Sequence, residues 1–171
     1  MRASILCLCL LATTLPVAGR PRITGFRADL ITDLDEVQDK ITRLAAAMPA
    51  DKYGWRPAAG VRSVSEVFMH IAGGNYVLGT FIGPVPPGVP NDLERITDKP
   101  AVQTELKRSF EYLRALIHNE NDADLDKVVK VFGTPTTHRA VFMTMVNHLH
   151  EHLGQSIAYA RMNGVVPPWS Q

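Results

Sequence analysis

Apolar side chains recur at three- and four-residue steps in four stretches of this chain, the spacing of one buried face of an α-helix. The first stretch runs from about residue 23 to just before Pro49, and its predicted buried face comprises Phe26, Leu30, Leu34, Val37, Ile41, Leu44 and Met48. Ser63 and Glu66 predict a capping box at the start of the second helix. We therefore expect two helices joined by a loop over residues 50–62.

A connection with four prolines between residues 83 and 91 follows, and the prolines exclude a helix there. The third predicted helix spans residues 100–118 and the fourth spans residues 138–163, with Thr136 or Thr137 as the N-terminal cap of the fourth. Between them, residues 128–132 are predicted to form a short strand or extended chain. Four helices with one or two long connections predict an all-α four-helix bundle.

The first 19 residues differ in composition from the rest of the chain. Arg2 is followed by an uncharged apolar run to Val17, and the small residues Ala18 and Gly19 come next, which is typical of a secretory signal peptide. We predict cleavage after Gly19, a domain of residues 20–171, and an exported protein, either periplasmic or secreted. The run is short for a bilayer, so no stable membrane span is expected after cleavage; a retained anchor is the alternative.

Cleavage would change the composition of the chain. It would remove Arg2 and both cysteines, Cys7 and Cys9, and leave 17 basic and 17 acidic residues. A neutral balance gives no indication of a nucleic-acid partner, which a basic excess would predict. Without cysteine there is no disulfide, no thiol nucleophile and no thiolate metal ligand, so that His, Asp and Glu are the remaining ligand types.

Three of the six histidines lie within residues 148–152. On a helix His148 and His152 fall about 40° apart, one turn from each other, whereas His150 points about 200° away from His148. The first two belong to the predicted inward face of the fourth helix. A pair of imidazoles on one helical face suits a transition metal, and His70, on an inward face of the second helix, is the predicted third ligand.

Three histidines with an open coordination position are the pattern of a catalytic zinc site, and nickel fits the same donors. Gly73 and Gly74 share the face of His70, which predicts either close helix packing or open space above a ligand. Glu66 could orient His70 from one turn away, although capping alone also explains it. Three further residues could line a pocket or simply belong to the core: Tyr53, Trp55 and Gln155.

The five residues from His148 to His152 also satisfy the inverted zinc-peptidase signature H-x-x-E-H, with Glu151 as the base. Such peptidases take a further carboxylate ligand downstream. No Asp or Glu follows His152 in this chain, so we keep this interpretation as a lesser alternative.

Several of these motifs together resemble the DinB-like family of metal-binding bundles. The motifs are Trp55-Arg56-Pro57, Ser63-Val64-Ser65-Glu66, His70 and the segment from His148 to Gln155. The resemblance covers nearly all of residues 20–171, and the three named histidines match the family's metal triad. Glu151 and Leu153 stand where many members have His and Arg. The resemblance implies an up-down-down-up bundle, one divalent metal (zinc or nickel) and frequent homodimerisation.

Some members of that family are transferases or isomerases that use a low-molecular-weight thiol. We therefore expect a metal-dependent enzyme, of hydrolase or thiol-transferase type, whose site activates water or a thiol toward a small-molecule substrate. Predicted export favours water, because such thiols are chiefly cytoplasmic. The alternatives are a non-catalytic stress protein that binds metal or a small ligand, and a structural bundle whose histidines only form hydrogen bonds.

Overall fold

The computed structural model describes residues 23–170. It contains four helices and one hairpin: α1 (Phe26–Ala47), α2 (Val64–Gly79), α3 (Lys99–Asn119), β1 (Val128–Val131), β2 (Thr134–Thr137) and α4 (His138–Met162). The prediction of an all-α four-helix bundle is confirmed. The predicted leader and its cleavage site fall within residues 1–22, outside the described residues. Within residues 23–170 no helix combines the length and apolar character needed to cross a membrane.

The helix starts follow local capping rules. The Ser63 N–H donates to Glu66 Oε2 over 2.6 Å, and the Glu66 N–H donates to Ser63 Oγ over 3.3 Å, so the predicted capping box is present. Asp98 caps α3 and Thr137 caps α4, each by accepting a hydrogen bond from the backbone N–H three residues on. Of the two caps predicted for the last helix, Thr137 is the one used.

Helices α2 and α3 lie side by side and run in the same direction. The Asn75 amide donates to Ser109 Oγ, and four residues later Gly79 packs against Tyr112, so the contacts advance together along both helices. Parallel neighbours need a long return connection, which the proline-rich stretch provides. That connection is irregular except for one 3₁₀ turn at Leu93–Arg95.

The remaining helix pairs complete the topology. The Arg139 guanidinium, at the start of α4, lies 4.8 Å from the ring centre of Phe26, the first residue of α1, so α1 and α4 are parallel. Lys99 at the start of α3 donates to the Met48 carbonyl just beyond the end of α1, so α1 and α3 are antiparallel. Each of α1 and α4 therefore runs opposite to α2 and α3. This is the up-down-down-up order.

The core fills the space between the four helices. Its fully buried side chains come from every helix and include Leu34, Ile41, Phe68, Ile71, Leu106, Phe110, Phe142 and Leu149. The apolar spacing along the second helix, from Val64 to Leu78, predicts that the helix continues to Phe81, but α2 ends at Gly79. Phe81 lies beyond that end, half-buried, with its ring centre 5.5 Å from that of Phe132 at the tip of the hairpin.

Gly79 allows Tyr112 to pack closely against the end of α2. A Cβ at position 79 would lie 2.4 Å from Tyr112 Cε1, and the Tyr112 hydroxyl is held by the Gly83 carbonyl at 3.1 Å. Because this ring is buried, we expect Gly79→Ala to lower the free energy of unfolding by about 1–3 kcal/mol in urea denaturation. The control is Gly154→Ala in α4, where nothing lies within 4 Å and where alanine should add up to about 1 kcal/mol. An equal increase in the free energy of unfolding for Gly79→Ala and Gly154→Ala would contradict this packing argument.

Candidate metal centre

Three histidine rings meet between α2 and α4. His70 comes from α2, and His148 and His152 come from successive turns of α4. One nitrogen from each ring lies within 4.8 Å of the other two, and Nε2 of His148 is 3.3 Å from Nε2 of His70. The spacing of four residues on α4 turns both of its rings toward α2, as the helical geometry predicts. The structure therefore brings together all three residues of the predicted site.

The ring of His148 lies directly against the backbone of α2 at Gly74. A Cβ at that position would lie 2.3 Å from Cε1 and 2.7 Å from Nδ1 of the ring. At Gly73 a Cβ would meet only Leu93, at an ordinary 3.7 Å. Of the two explanations for the glycine pair, close packing therefore applies to Gly74, and the group that packs there is a candidate metal ligand.

His152 is held from behind by a hydrogen-bonded chain. Its Nδ1 lies 2.9 Å from Gln155 Oε1, and the Gln155 amide donates to the Tyr159 hydroxyl, which in turn donates to the Arg62 carbonyl. An amide oxygen only accepts, so Nδ1 of His152 carries the proton. Nε2 is then the nitrogen with a free lone pair. Gln155, predicted as a pocket or core residue, therefore orients a candidate ligand.

His70 faces a carboxylate that the sequence did not point to. Its Nδ1 lies 3.4 Å from Glu94 Oε1, which also accepts from Arg62 Nε over 3.0 Å. Of the two explanations for Glu66, capping is the one that the structure shows, because Glu66 Oε1 is paired with Arg56 and Oε2 accepts from the Ser63 N–H. Glu94 belongs to the crossover between α2 and α3, where no periodic pattern relates it to His70.

The surroundings keep two of the rings uncharged. Burial, together with the smaller effects of the neighbouring His152, His70 and Arg62, lowers the pKa of His148 to about 4. Burial is also the largest cause of the lowered pKa of His70, followed by the charge of Arg62. Neutral imidazole is the form that binds a metal, so these two rings are ready to act as ligands at neutral pH.

A pocket of about 830 Å³ opens onto His70 and His148. It lies between α2 and α4 and is bordered by the crossover, including Leu93, and by Phe132 at the hairpin tip. Its volume falls within the range of small-molecule sites, roughly 300–1,000 Å³. The histidine cluster is thus accessible to a small molecule.

Two of the predicted pocket residues lie in the core instead. Tyr53 is only 1% exposed and its hydroxyl donates to the Ala45 carbonyl over 2.7 Å. Trp55 is half-buried and packs edge-on against Tyr159, with ring centres 5.4 Å apart. Neither borders the pocket beside the histidines. The alternative interpretation, that they are core aromatics, is the correct one.

A sequence model of the DinB superfamily matches residues 33–156 of the chain. The chain belongs to the DinB superfamily. The matched region contains all three clustered histidines, the crossover and the hairpin. No protein with a curated description matches the sequence.

Solved structures share the DinB fold. A DinB-like protein from Bacillus cereus is 19% identical with a TM-score of 0.69, and the match covers 82% of this chain and 95% of that one. A DinB-like protein from Bacillus subtilis is 23% identical with a TM-score of 0.68, covering 84% and 98%. A conserved protein from Enterococcus faecalis is 13% identical with a TM-score of 0.64, covering 81% and 97%. At these identities the likeness shows the fold alone.

The other histidines of this DinB-superfamily chain lie away from the cluster. His150 points away from the cluster, as the helical geometry predicts; it is exposed, and its Nε2 is 2.8 Å from Asp33 Oδ1. His138 is buried, with its Nδ1 2.9 Å from Glu120 Oε2, and this contact joins the end of α3 to the start of α4. No local sequence pattern predicts this pair, because its two residues come from different helix ends.

The inverted peptidase signature is not completed in this DinB chain. Glu151 is exposed at the edge of the pocket, and the third ring beside His148 and His152 is that of His70. The peptidases need a downstream carboxylate ligand, and no acidic residue follows His152. His148 and His152 are therefore joined by a third histidine and not by a carboxylate.

Gln155 offers a direct test of how His152 is held. We expect Gln155→Leu to weaken zinc binding about 10–100-fold, because loss of a hydrogen bond to a metal-binding histidine typically has that effect. Gln155→Glu should bind zinc at least as tightly as the wild type, since a carboxylate also accepts from Nδ1–H. Affinity is measured by competition with a chromophoric chelator, with Gln103→Leu on α3 as the control. Wild-type affinity in Gln155→Leu would contradict the orienting role.

Proposed function

We propose that this protein is a metal-dependent enzyme that holds one divalent transition metal, zinc or nickel, on His70, His148 and His152. Its substrate would be a small molecule bound in the adjacent pocket. The observation that carries the proposal is the convergence of three imidazoles at a pocket of about 830 Å³. A metal bound there would supply Lewis-acid chemistry, polarising a substrate or making water more acidic.

The distances between the rings fit a metal. Two nitrogens bound at about 2.0–2.1 Å to a tetrahedral ion lie about 3.3–3.4 Å apart. The Nε2 atoms of His70 and His148 are separated by 3.3 Å. Two neutral imidazoles at that separation need a shared proton or a cation between their lone pairs. The donor set, three nitrogens without a thiolate, suits zinc and nickel alike.

The chain's own side chains hold the rings in the form that binds metal. Gln155 fixes the proton of His152 on Nδ1, and Glu94 beside His70 favours a proton on Nδ1 of that ring as well. Each ring then presents Nε2 as its ligand atom. Gly74 leaves the space that His148 needs to reach the same point. These contacts thus hold the rings in an arrangement that suits a metal.

Among reaction types we favour hydrolysis over thiol transfer. Predicted export would separate the protein from cytoplasmic thiols, whereas water is available in any compartment. A non-catalytic metal-binding role is the second candidate. It is favoured by the pairing of Glu94 with Arg62, which withdraws the carboxylate facing His70 from proton transfer.

The proposal is tested with zinc- and nickel-loaded protein and a panel of neutral aryl esters, amides and lactones. We expect turnover by the wild type and by His150→Ala, and none by His152→Ala. Cobalt(II)-loaded protein titrated with imidazole, a neutral ligand, reports separately on an open coordination position, through a change in visible absorption. No turnover together with a spectrum that imidazole does not change would overturn the enzymatic proposal in favour of simple metal binding.

Export and homodimer formation stay predictions. Cell fractionation of the full-length chain and N-terminal sequencing of the product test the first, with residue 20 as the expected N-terminus. Light scattering at several protein concentrations tests the second.

A further inference from the structure

Phe132 sits in a backbone conformation that does not suit its side chain. Val131 pairs with Thr134, so Phe132 and Gly133 form a two-residue hairpin loop, with φ angles of +48° and +89°. Positive φ at both central positions is the requirement of a type I′ turn, for which Asn, Asp and Gly are the preferred first residues. A bulky aromatic residue in the left-handed region is strained, and such strain is found most often at functional sites.

The same side chain is also placed unfavourably with respect to solvent. Phe132 is 76% exposed, and its ring makes an edge-on contact with Phe81. Neither its backbone conformation nor its burial explains why phenylalanine occupies the turn. Phe132 borders the pocket that opens on the histidines, as does Val77, which is 49% exposed. An apolar ligand in the pocket would cover both side chains.

Within residues 23–170, the carboxylates that border the pocket have no basic side chain beside them in its wall. Three acidic residues border it, Asp92, Glu94 and Glu151, and among the described residues neither lysine nor arginine does. Asp92 and Glu94 are paired with Arg95 and Arg62, neither of which borders the pocket, whereas Glu151 has no such partner among the ion pairs of the described residues. An anionic ligand would therefore meet carboxylates without a cationic side chain lining the wall to hold it. An uncharged or cationic ligand would meet no such barrier.

We propose that the pocket takes a largely apolar small molecule without negative charge, and that Phe132 is the residue that contacts its apolar part at the mouth. The proposal rests on the proposed function in one respect, namely that the other end of the ligand reaches the metal site at His70 and His148. The volume of about 830 Å³ suits a molecule of drug-like size rather than a macromolecule.

Two fluorescent probes with the same aromatic skeleton test the charge preference. N-phenyl-1-naphthylamine is neutral, and 1-anilinonaphthalene-8-sulfonate carries one added sulfonate. We expect the sulfonated probe to bind about tenfold more weakly or worse, because like charges across an interface are strongly unfavourable. The full-length chain is used, zinc-loaded and again with EDTA, and the order of affinities should be the same in both. Absent binding of the neutral probe, or equal binding of both, would overturn the proposal.

Phe132→Asn tests the contact itself. We expect it to weaken binding of the neutral probe about fivefold or more, the usual effect of removing an aromatic contact that matters. Thermal stability should be equal or higher, since Asn suits the turn. Val128→Thr is the control, because Val128 is 64% exposed on the same hairpin but does not border the pocket. Unchanged probe binding in Phe132→Asn would overturn the proposal. This holds even if the substitution changes the oligomeric state, because Phe132 would then serve an interface between subunits and not the ligand.

Zinc content separates this inference from the proposed function. If the wild type binds the neutral probe through Phe132 but holds no zinc, the proposed pocket preference stands and the proposed metal site is wrong. If the wild type holds zinc on the three histidines but binds both probes equally, the proposed metal site stands and the proposed pocket preference is wrong.

Discussion

Gly74→Ala is expected to weaken metal binding about 10–100-fold, although alanine is the better helix former. The added methyl group would lie 2.3 Å from Cε1 of His148, far inside contact distance. The ring is the free end of a side chain and can rotate away, so the fold survives. In rotating, however, it carries Nε2 away from His70 and His152. Affinity for zinc, measured by competition with a chelator, is the property that should change.

Gly73→Ala is the matched control for this prediction. It lies one residue earlier on the same helix, and its new methyl group would meet only Leu93, at 3.7 Å. We expect zinc affinity to be unchanged and the free energy of unfolding to rise by up to about 1 kcal/mol from helix propensity. Equal effects of the two substitutions on zinc affinity would mean that His148 does not need its position against Gly74.

The second large effect concerns stabilisation by metal. A ligand at 100 times its dissociation constant stabilises the folded state by about 2.7 kcal/mol. Zinc at that level should therefore raise the unfolding free energy of the wild type by this amount. Alanine at any one of His70, His148 or His152 should abolish most of the increase. Urea denaturation with and without zinc measures it.

His150→Ala is the control for the histidine series. His150 lies within the same five residues but is exposed and contacts Asp33 on α1. Its replacement should leave the stabilisation by zinc intact. An equal loss in this variant would contradict the geometric separation of His150 from the cluster.

Local sequence rules predicted the parts of the site that lie on helices. The i, i+4 relation placed His148 and His152 on one face, and the capping box fixed where α2 begins and hence the face on which His70 lies. Both depend on interactions within one turn or two. For the same reason the four helices were predicted to within a few residues.

The features that the sequence did not predict depend on contacts between distant segments of the chain. Glu94 and Phe132 reach the pocket from the crossover and from a hairpin turn, where no periodic spacing relates a residue to the bundle. Tyr53 and Trp55 are aromatic residues near the start of α2, a description that fits a core position as well as a pocket wall. Only tertiary packing distinguishes the two.

The central claim is that one metal ion binds between His70, His148 and His152. Anomalous scattering at the zinc and nickel edges, from crystals of protein purified without a polyhistidine tag, tests it most directly. We predict one peak about 2.0–2.1 Å from a nitrogen of each of the three rings, with the edge identifying the element. A crystal soaked in either metal that shows no peak there, or shows one at His150 and Asp33 instead, would contradict the claim.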